Sequence, residues 1–436
     1  MRRRQGDSLG TVLVAGVAVA AITIPRSLSY SSRPWFLLAI AAVVTLTLVA
    51  GIRQVGRISP PWPSLAFVGW CGLSVVWSSY PHRSLESTAL TLLITALAVV
   101  VAARTTPRGT VVAGAIAATL VTAGSAAYYA SGGRLRTRTG EGGIELYQGI
   151  FGNWNILGYT LVLLLPAVLS VRPRTRAGHA ARAVLLVAML ASLAASRSAT
   201  SIIVAGLVIA VAVCLWSIDR NQSRVTPATG RRAWSRVIVI GSSATAAIVS
   251  AGAMTITLLG KDVTTLSGRV PLWNAIGAVG SEQPWGGYGW GAVWQYYWYR
   301  TKRSEVGDAI NDQIMWPLSH GHSILFDTAI QVGAVGAALL VVALSVALWR
   351  SARSVVSDVD ETSTWTFLTL VAIAVLGVTE PITATPVGWF LLTLVLCRAP
   401  RRDPEDAPRH PRRPRAQPAT SSPPRPAPNY SPEGAR

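Results

Sequence analysis

The run SILFDTAIQVGAVGAALLVVALSVALW occupies positions 323–349, between His322 and Arg350. At about 1.5 Å of rise per residue, a helix of this length crosses the roughly 30 Å of hydrocarbon in a bilayer. Its apolar residues are continuous and do not alternate, which argues against a lipid-facing β-strand. The ionisable residue within it is Asp327.

Comparable apolar runs recur at 9–24, 34–52, 64–79, 85–103, 110–130, 156–171, 183–195, 201–218, 237–259, 364–378 and 387–397. Together they predict an all-α integral membrane protein of about twelve transmembrane helices. The runs at 183–195 and 387–397 are short, and 183–195 with 201–218 also reads as one broken hairpin. No soluble domain follows the first run, so it reads as a retained span and not as a cleaved leader. Hydrophobic residues make up 51% of the chain and charged residues 13%, which excludes a soluble globule.

The formal net charge is +20, and its distribution is topological. Arg53 and Arg57, Arg104 and Arg108, the cluster Arg172, Arg174, Arg176 and Arg182, the group from Arg220 to Arg236, and Arg350 with Arg353 fall in alternate loops. Basic loops stay cytoplasmic, so both termini are expected in the cytoplasm. A large extracytoplasmic loop, about 260–322, then lies between spans 9 and 10, and Ser304 faces outward with it. Nucleic acid is excluded as the reason for the charge. The domain reading is a membrane domain, 1–397, followed by a basic, proline-rich tail, 398–436. That tail cannot bury a core and is expected to be disordered on the cytoplasmic side. Cys71, Cys214 and Cys397 sit singly in or at the ends of apolar runs, so neither a disulfide framework nor a cysteine metal site is expected.

The large loop holds the candidate chemistry. It opens on Ser267-Gly268-Arg269, runs through Pro284-Trp285-Gly286-Gly287-Tyr288-Gly289-Trp290-Gly291, and closes on His320-Gly321-His322. Val270, Trp273, Ile276 and Val279 have helical spacing and predict a short amphipathic helix at the membrane interface. Trp273, Trp285 and Trp290 suit headgroup anchoring or stacking on a sugar face. The glycine-rich run lacks the Gly-Lys-Ser/Thr ending of a phosphate loop, and its glycines are expected to permit tight turns under the aromatics. Arg197, between two apolar runs, and Arg269, at a helix start, are candidate anion clamps. His320 and His322 are candidate bases near neutral pH. No cysteine or H-E-x-x-H pattern accompanies them, so no metal is expected. Asp327 is a candidate supporting carboxylate, and Glu380 stands in a short turn before Pro381.

Four segments resemble the O-antigen ligase and polymerase-like (Wzy-type) membrane proteins. They are Gly149–Gly158 (GIFGNWNILG), Ser196-Arg197-Ser198, the loop carrying Ser267-Gly268-Arg269, Leu272-Trp273, Pro284, Gly287 and Gly289, and the run of His322-Ser323, Leu325, Gly333 and Gly336. Ser323 stands where the family usually has Asn, and Gln331 where it often has Glu. The likeness covers about 149–336. It implies a glycosyltransferase of the bacterial cytoplasmic membrane that takes a glycan from a polyprenyl diphosphate and gives it to the hydroxyl of a saccharide or glycolipid acceptor. It implies Arg197 and Arg269 at the diphosphate, His322 as the catalytic histidine, and no cofactor or metal. The implied partners are the lipid-linked donor, the acceptor, membrane lipids and other envelope polysaccharide-assembly proteins. The rival reading is a transporter or flippase of lipid-linked sugars, which would show broken helices and mid-membrane charges.

Overall fold

The computed structural model describes residues 7–23, 58–132, 146–222, 268–294, 304–314 and 320–398. The expected spans at 34–52 and 237–259, Ser267, the aromatics at 296–299 and the tail beyond Arg398 lie outside these residues.

The described residues form an all-helical chain: α1 (Leu9–Thr23), α2 (Trp62–Leu73), α3 (Pro81–Arg104), α4 (Pro107–Ala130), α5 (Trp154–Ser170), α6 (Arg176–Ser196), α7 (Ala199–Gln222), α8 (Arg269–Gly280), α9 (Glu305–Asn311), α10 (Ile324–Ser357), α11 (Glu361–Thr379) and α12 (Pro386–Arg398). Among them, α3, α4, α6, α7, α10 and α11 are long and apolar enough to cross a membrane, while α1, α2, α5 and α12 are shorter apolar helices. The run at 183–195 is thus part of a full helix. Thr175 caps α6 by accepting from the N–H of Gly178, and this starts the helix well before its apolar residues.

Helix α5 is the centre of the bundle. Leu157, Leu161 and Val162 through Leu165 are fully buried, and the helix packs against α4, α6, α7 and α11. Its two ends fix the polarity of the structure. At one end the Arg172 backbone N–H donates to Glu361 at 2.7 Å, and its guanidinium donates to the Val359 carbonyl. This ties the end of α5 to the start of α11. Thr106, between α3 and α4, donates its N–H to Asp7 at 2.8 Å, and Arg398 donates to Thr110 at 2.7 Å. At the other end Ser198 donates to Asn155 at 3.0 Å, joining the start of α5 to the α6–α7 turn. Because α5 and α11 run antiparallel, Glu380, just past α11, lies at that same end. The basic residues Arg104, Arg108, Arg172, Arg174, Arg176, Arg350, Arg353 and Arg398 therefore gather at one end of the bundle. Arg197 and Glu380 stand at the opposite end.

Helix α10 is broken. Val332 (φ −128°, ψ 18°) and Gly333 (φ 68°, ψ −175°) leave helical geometry, freeing backbone groups that a membrane helix must otherwise satisfy internally. The glycine-rich loop takes them up. Tyr288 and Gly289 donate their N–H groups to the carbonyls of Ile330 and Gln331, at 3.2 and 2.7 Å. Ala334 donates to the Pro284 carbonyl at 2.8 Å, and the Trp70 indole donates to the Val332 carbonyl at 2.9 Å. A Cβ on Gly287 would strike the Gln331 backbone, and one on Gly333 would strike the Trp285 carbonyl. The glycines expected to serve turns under aromatics thus serve a second purpose: they let one backbone lie against another.

Helix α8 also differs from its expected setting. Leu272, Ala275 and Ile276 are buried in a small core with Val293, Trp294, Ile310 and Ile330, while Val270 of the face expected from the spacing is exposed.

The clasp makes Gly333 a sensitive position. Gly333→Ala combines a strained backbone with steric overlap, and is expected to destabilise the protein by about 3 kcal/mol. Gly277→Ala, which has open space around its new Cβ, should be close to neutral. Thermal unfolding in detergent compares the two; equal midpoints would show that the clasp does not depend on Gly333.

Candidate functional site

Three elements bring their termini together. The first is the start of α8, where Gly268 adopts φ 85° and admits the chain to the helix at Arg269. The second is the segment leading into α10. Gly321 donates its N–H to Asp327 Oδ1 at 2.7 Å, and its carbonyl accepts from the Trp273 indole at 3.0 Å. A Cβ on Gly321 would meet the Asp327 backbone. His322 follows at φ 47°, a left-handed conformation that a bulky residue holds only when its surroundings dictate it. Ser323 then caps α10 by accepting from the N–H of Leu325. The third element is the end of α11, where Glu380 closes the helix with its N–H on the Leu376 carbonyl at 2.8 Å. Pro381 prevents any continuation.

The side chains form a connected row. Arg269 Nη2 lies 2.8 Å from Glu380 Oε1, and His322 Nδ1 lies 3.6 Å from Glu380 Oε2. The rings of His320 and His322 have centroids 3.9 Å apart, and the His322 backbone N–H donates to His320 Nδ1 at 3.4 Å. A buried carboxylate at a helix C-terminus opposes the helix dipole, so its charge here depends on these partners. Burial alone would raise the Glu380 pKa. The His322 imidazole 3.6 Å away, with His320 and Arg269 behind, holds it down at about 2. Burial, and then the neighbouring charge of His322, push His320 down to about 3, so His320 is neutral near pH 7.

Asp327 is buried behind the loop. It holds the loop backbone through Gly321 and accepts from Gln331 Nε2 at 2.9 Å. Gln331 Oε1 accepts from the Gly291 N–H at 2.7 Å. An amide supplies both the donor and the acceptor this position uses, whereas a glutamate would set a second carboxylate against Asp327.

Of the residues singled out from sequence, Arg269, His320 and His322 meet here, with Asp327 and Trp273 supporting them. Trp273 stacks on Phe326 at 5.0 Å. Trp285 is exposed. Trp290 is not at a surface: it is buried, donates to Thr91 at 3.0 Å and packs edge-on against Phe67. Arg197 is exposed in a left-handed turn, φ 53°, between α6 and α7. It shares this end of the bundle, but no hydrogen bond or ion pair among the described residues joins it to the row. Glu380 was the residue that sequence reasoning placed without a role. Its one signal was a lone carboxylate in a short polar break between two apolar runs.

His320, His322 and Glu380 also form a set of three metal-capable side chains, with one ligand atom from each lying within 4.8 Å of the others.

Residues 184–341 match the family model described as O-antigen ligase. The likeness to that family is therefore shown for the segment from α6 into α10, which carries Arg197, Arg269, His320 and His322. The Gly149–Gly158 motif and Glu380 lie outside the matched segment. A search of the curated proteins found no match.

Proposed function

We propose that this O-antigen ligase-like membrane protein is a glycosyltransferase. It moves a glycan from a polyprenyl diphosphate to an acceptor hydroxyl at the extracytoplasmic face of a bacterial plasma membrane. The observation that carries this reading is the row Arg269–Glu380–His322, in which one carboxylate faces a guanidinium with one oxygen and an imidazole with the other.

A proton on His322 Nδ1 directed at Glu380 leaves Nε2 as the basic nitrogen. The acceptor hydroxyl oxygen attacks the anomeric carbon while its proton passes to Nε2. The bond from that carbon to the diphosphate oxygen breaks, and its electron pair leaves with the lipid diphosphate. One displacement of this kind inverts the anomeric configuration. The growing negative charge is met by the planar guanidinium of Arg269 at the start of α8, where a helix N-terminus adds to the favourable field. Arg197 is a second diphosphate contact from the same end of the bundle. His320 and Asp327 hold the His322 backbone in place. Trp273, whose indole reaches Gly321, borders the site, and it and the exposed Trp285 suit a sugar face. The charge stabilisation comes from arginine, so the step as drawn requires no metal, and the energy resides in the donor's own phosphate bond.

The transporter reading draws on the break in α10. That break is occupied by the backbone of 284–289: the carbonyls of Ile330 and Gln331 and the N–H of Ala334 are bonded to the loop, and the Val332 carbonyl to the Trp70 indole. It therefore offers little to a passing substrate, which favours transfer over transport.

The direct test uses purified protein, a polyprenyl-diphosphate glycan and candidate acceptors. The expected products are a glycosylated acceptor or a lengthened glycan, together with lipid diphosphate, formed without any nucleotide sugar. Product size separates ligase from polymerase. Movement of donor across vesicles with no transfer would replace this reading with the transporter.

Orientation has its own test. The basic end of the bundle should face the cytoplasm. The hydroxyl of Ser304 is buried, caps α9 and donates to the Val293 carbonyl at 2.5 Å, so a cysteine there would be a poor reporter. Asp312 is exposed. In a background lacking Cys71, Cys214 and Cys397, Asp312→Cys should react with an impermeant thiol reagent in intact cells. Labelling only after lysis would reverse the orientation.

A further inference from the structure

The proposed chemistry uses His322 and Glu380 but gives His320 no more than a supporting place. Yet its half-buried ring lies against that of His322, with centroids 3.9 Å apart. The left-handed backbone at His322 turns two imidazoles of a His-Gly-His segment toward one carboxylate on another helix. Two imidazoles and a carboxylate are ligands for a borderline divalent transition ion.

We infer that His320, His322 and Glu380 form a reversible inhibitory site for a divalent transition-metal ion of the Zn2+ class. Ligand atoms bound to tetrahedral zinc at about 2.0–2.1 Å lie about 3.3 Å apart. His322 Nδ1 and Glu380 Oε2 are already 3.6 Å apart, and all three ligand atoms fall within 4.8 Å. Closure therefore needs shifts of about an ångström and no rearrangement of helices. Arg269 can remain on Glu380 Oε1, 2.8 Å away, as the hydrogen-bonded partner a ligating carboxylate commonly has. Its positive charge opposes a dication, which makes the site exchangeable and not structural. A solvent molecule completes the coordination.

The consequence for activity rests on the role proposed for His322. A neutral imidazole carries one ring proton. A metal on Nδ1 leaves that proton on Nε2, the nitrogen that must be bare to accept the acceptor's proton. The ion also takes the Glu380 oxygen that orients the ring. Metal binding and proton acceptance are therefore mutually exclusive at His322.

The test reads binding and transfer separately, on the full-length protein in detergent. Zn2+ binding is measured by competition with a colorimetric chelator, and Co2+ binding by the visible absorption bands of a tetrahedral site. One ion should bind per chain. His320→Ala and Glu380→Gln should each weaken binding by at least about 10- to 100-fold. His82→Ala, which alters the exposed His82–Glu86 pair elsewhere, should leave binding unchanged. In the wild type, transfer should fall with the same Zn2+ dependence as binding and return when chelator is added. Whatever transfer His320→Ala retains should resist zinc over that range. Wild type without stoichiometric binding, or binding unaffected in both variants, overturns the site. Zinc binding that depends on both His320 and Glu380, in a protein that transfers no glycan to any acceptor, leaves the metal site standing and removes the transferase reading.

Discussion

His322→Ala is expected to lower glycan transfer by about 100- to 10,000-fold, the usual range for loss of a general base, while the donor still binds. Donor affinity in this scheme resides in Arg269, Arg197 and the apolar surface that meets the polyprenyl chain, whereas the imidazole acts as the acceptor's proton is lost. The ring is held by a left-handed backbone at φ 47° and faces Glu380 at 3.6 Å, so its position is set before any substrate arrives. The measurement pairs single-turnover transfer by the purified variant with binding of labelled donor. His320→Ala should cost less, because its ring meets the row through His322. Full activity in His322→Ala, or a deeper loss in His320→Ala, would move the reacting centre to another residue.

The second large effect is expected at Glu380. Its carboxylate is buried and answers both Arg269 and His322. Glu380→Ala removes a partner of a largely buried guanidinium, and breaking a buried pair costs about 3–5 kcal/mol. The variant should unfold earlier in detergent and transfer poorly. Glu380→Gln keeps the shape and one carbonyl acceptor while removing the charge, so it should recover part of the stability but not the transfer. Arg269→Lys offers the complementary comparison, since it preserves charge while losing the planar fork. A Glu380→Gln protein with wild-type transfer would show that the carboxylate only braces the fold.

Much of the helical bundle was legible in sequence, because hydropathy reads directly as burial in lipid or protein. The runs at 85–103, 110–130, 156–171 and 364–378 became α3, α4, α5 and α11 with small extensions at their starts. The run at 183–195 was underestimated, because the first turns of α6 are polar and only the Thr175 cap marks their start. The helix at 269–280 was visible from its spacing, but its covering was not. Apolar spacing states that one face is buried and does not name what buries it.

Sequence by itself determined the all-helical class, the gathering of arginine at one end, and the candidacy of Arg269 and His322. These depend on composition and short-range order, which a chain carries without being folded. Only tertiary structure decided that Glu380, more than fifty residues beyond His322, stands between that histidine and Arg269. It also decided that the loop at 284–291 fills the break in α10, and that Trp290 faces the core. The physical reason is the same in each case. A lone glutamate, a glycine or a tryptophan has no fixed meaning until a distant segment supplies its charge partner, its backbone contact or its cover, and those partners are brought together by helix packing and not by neighbouring sequence.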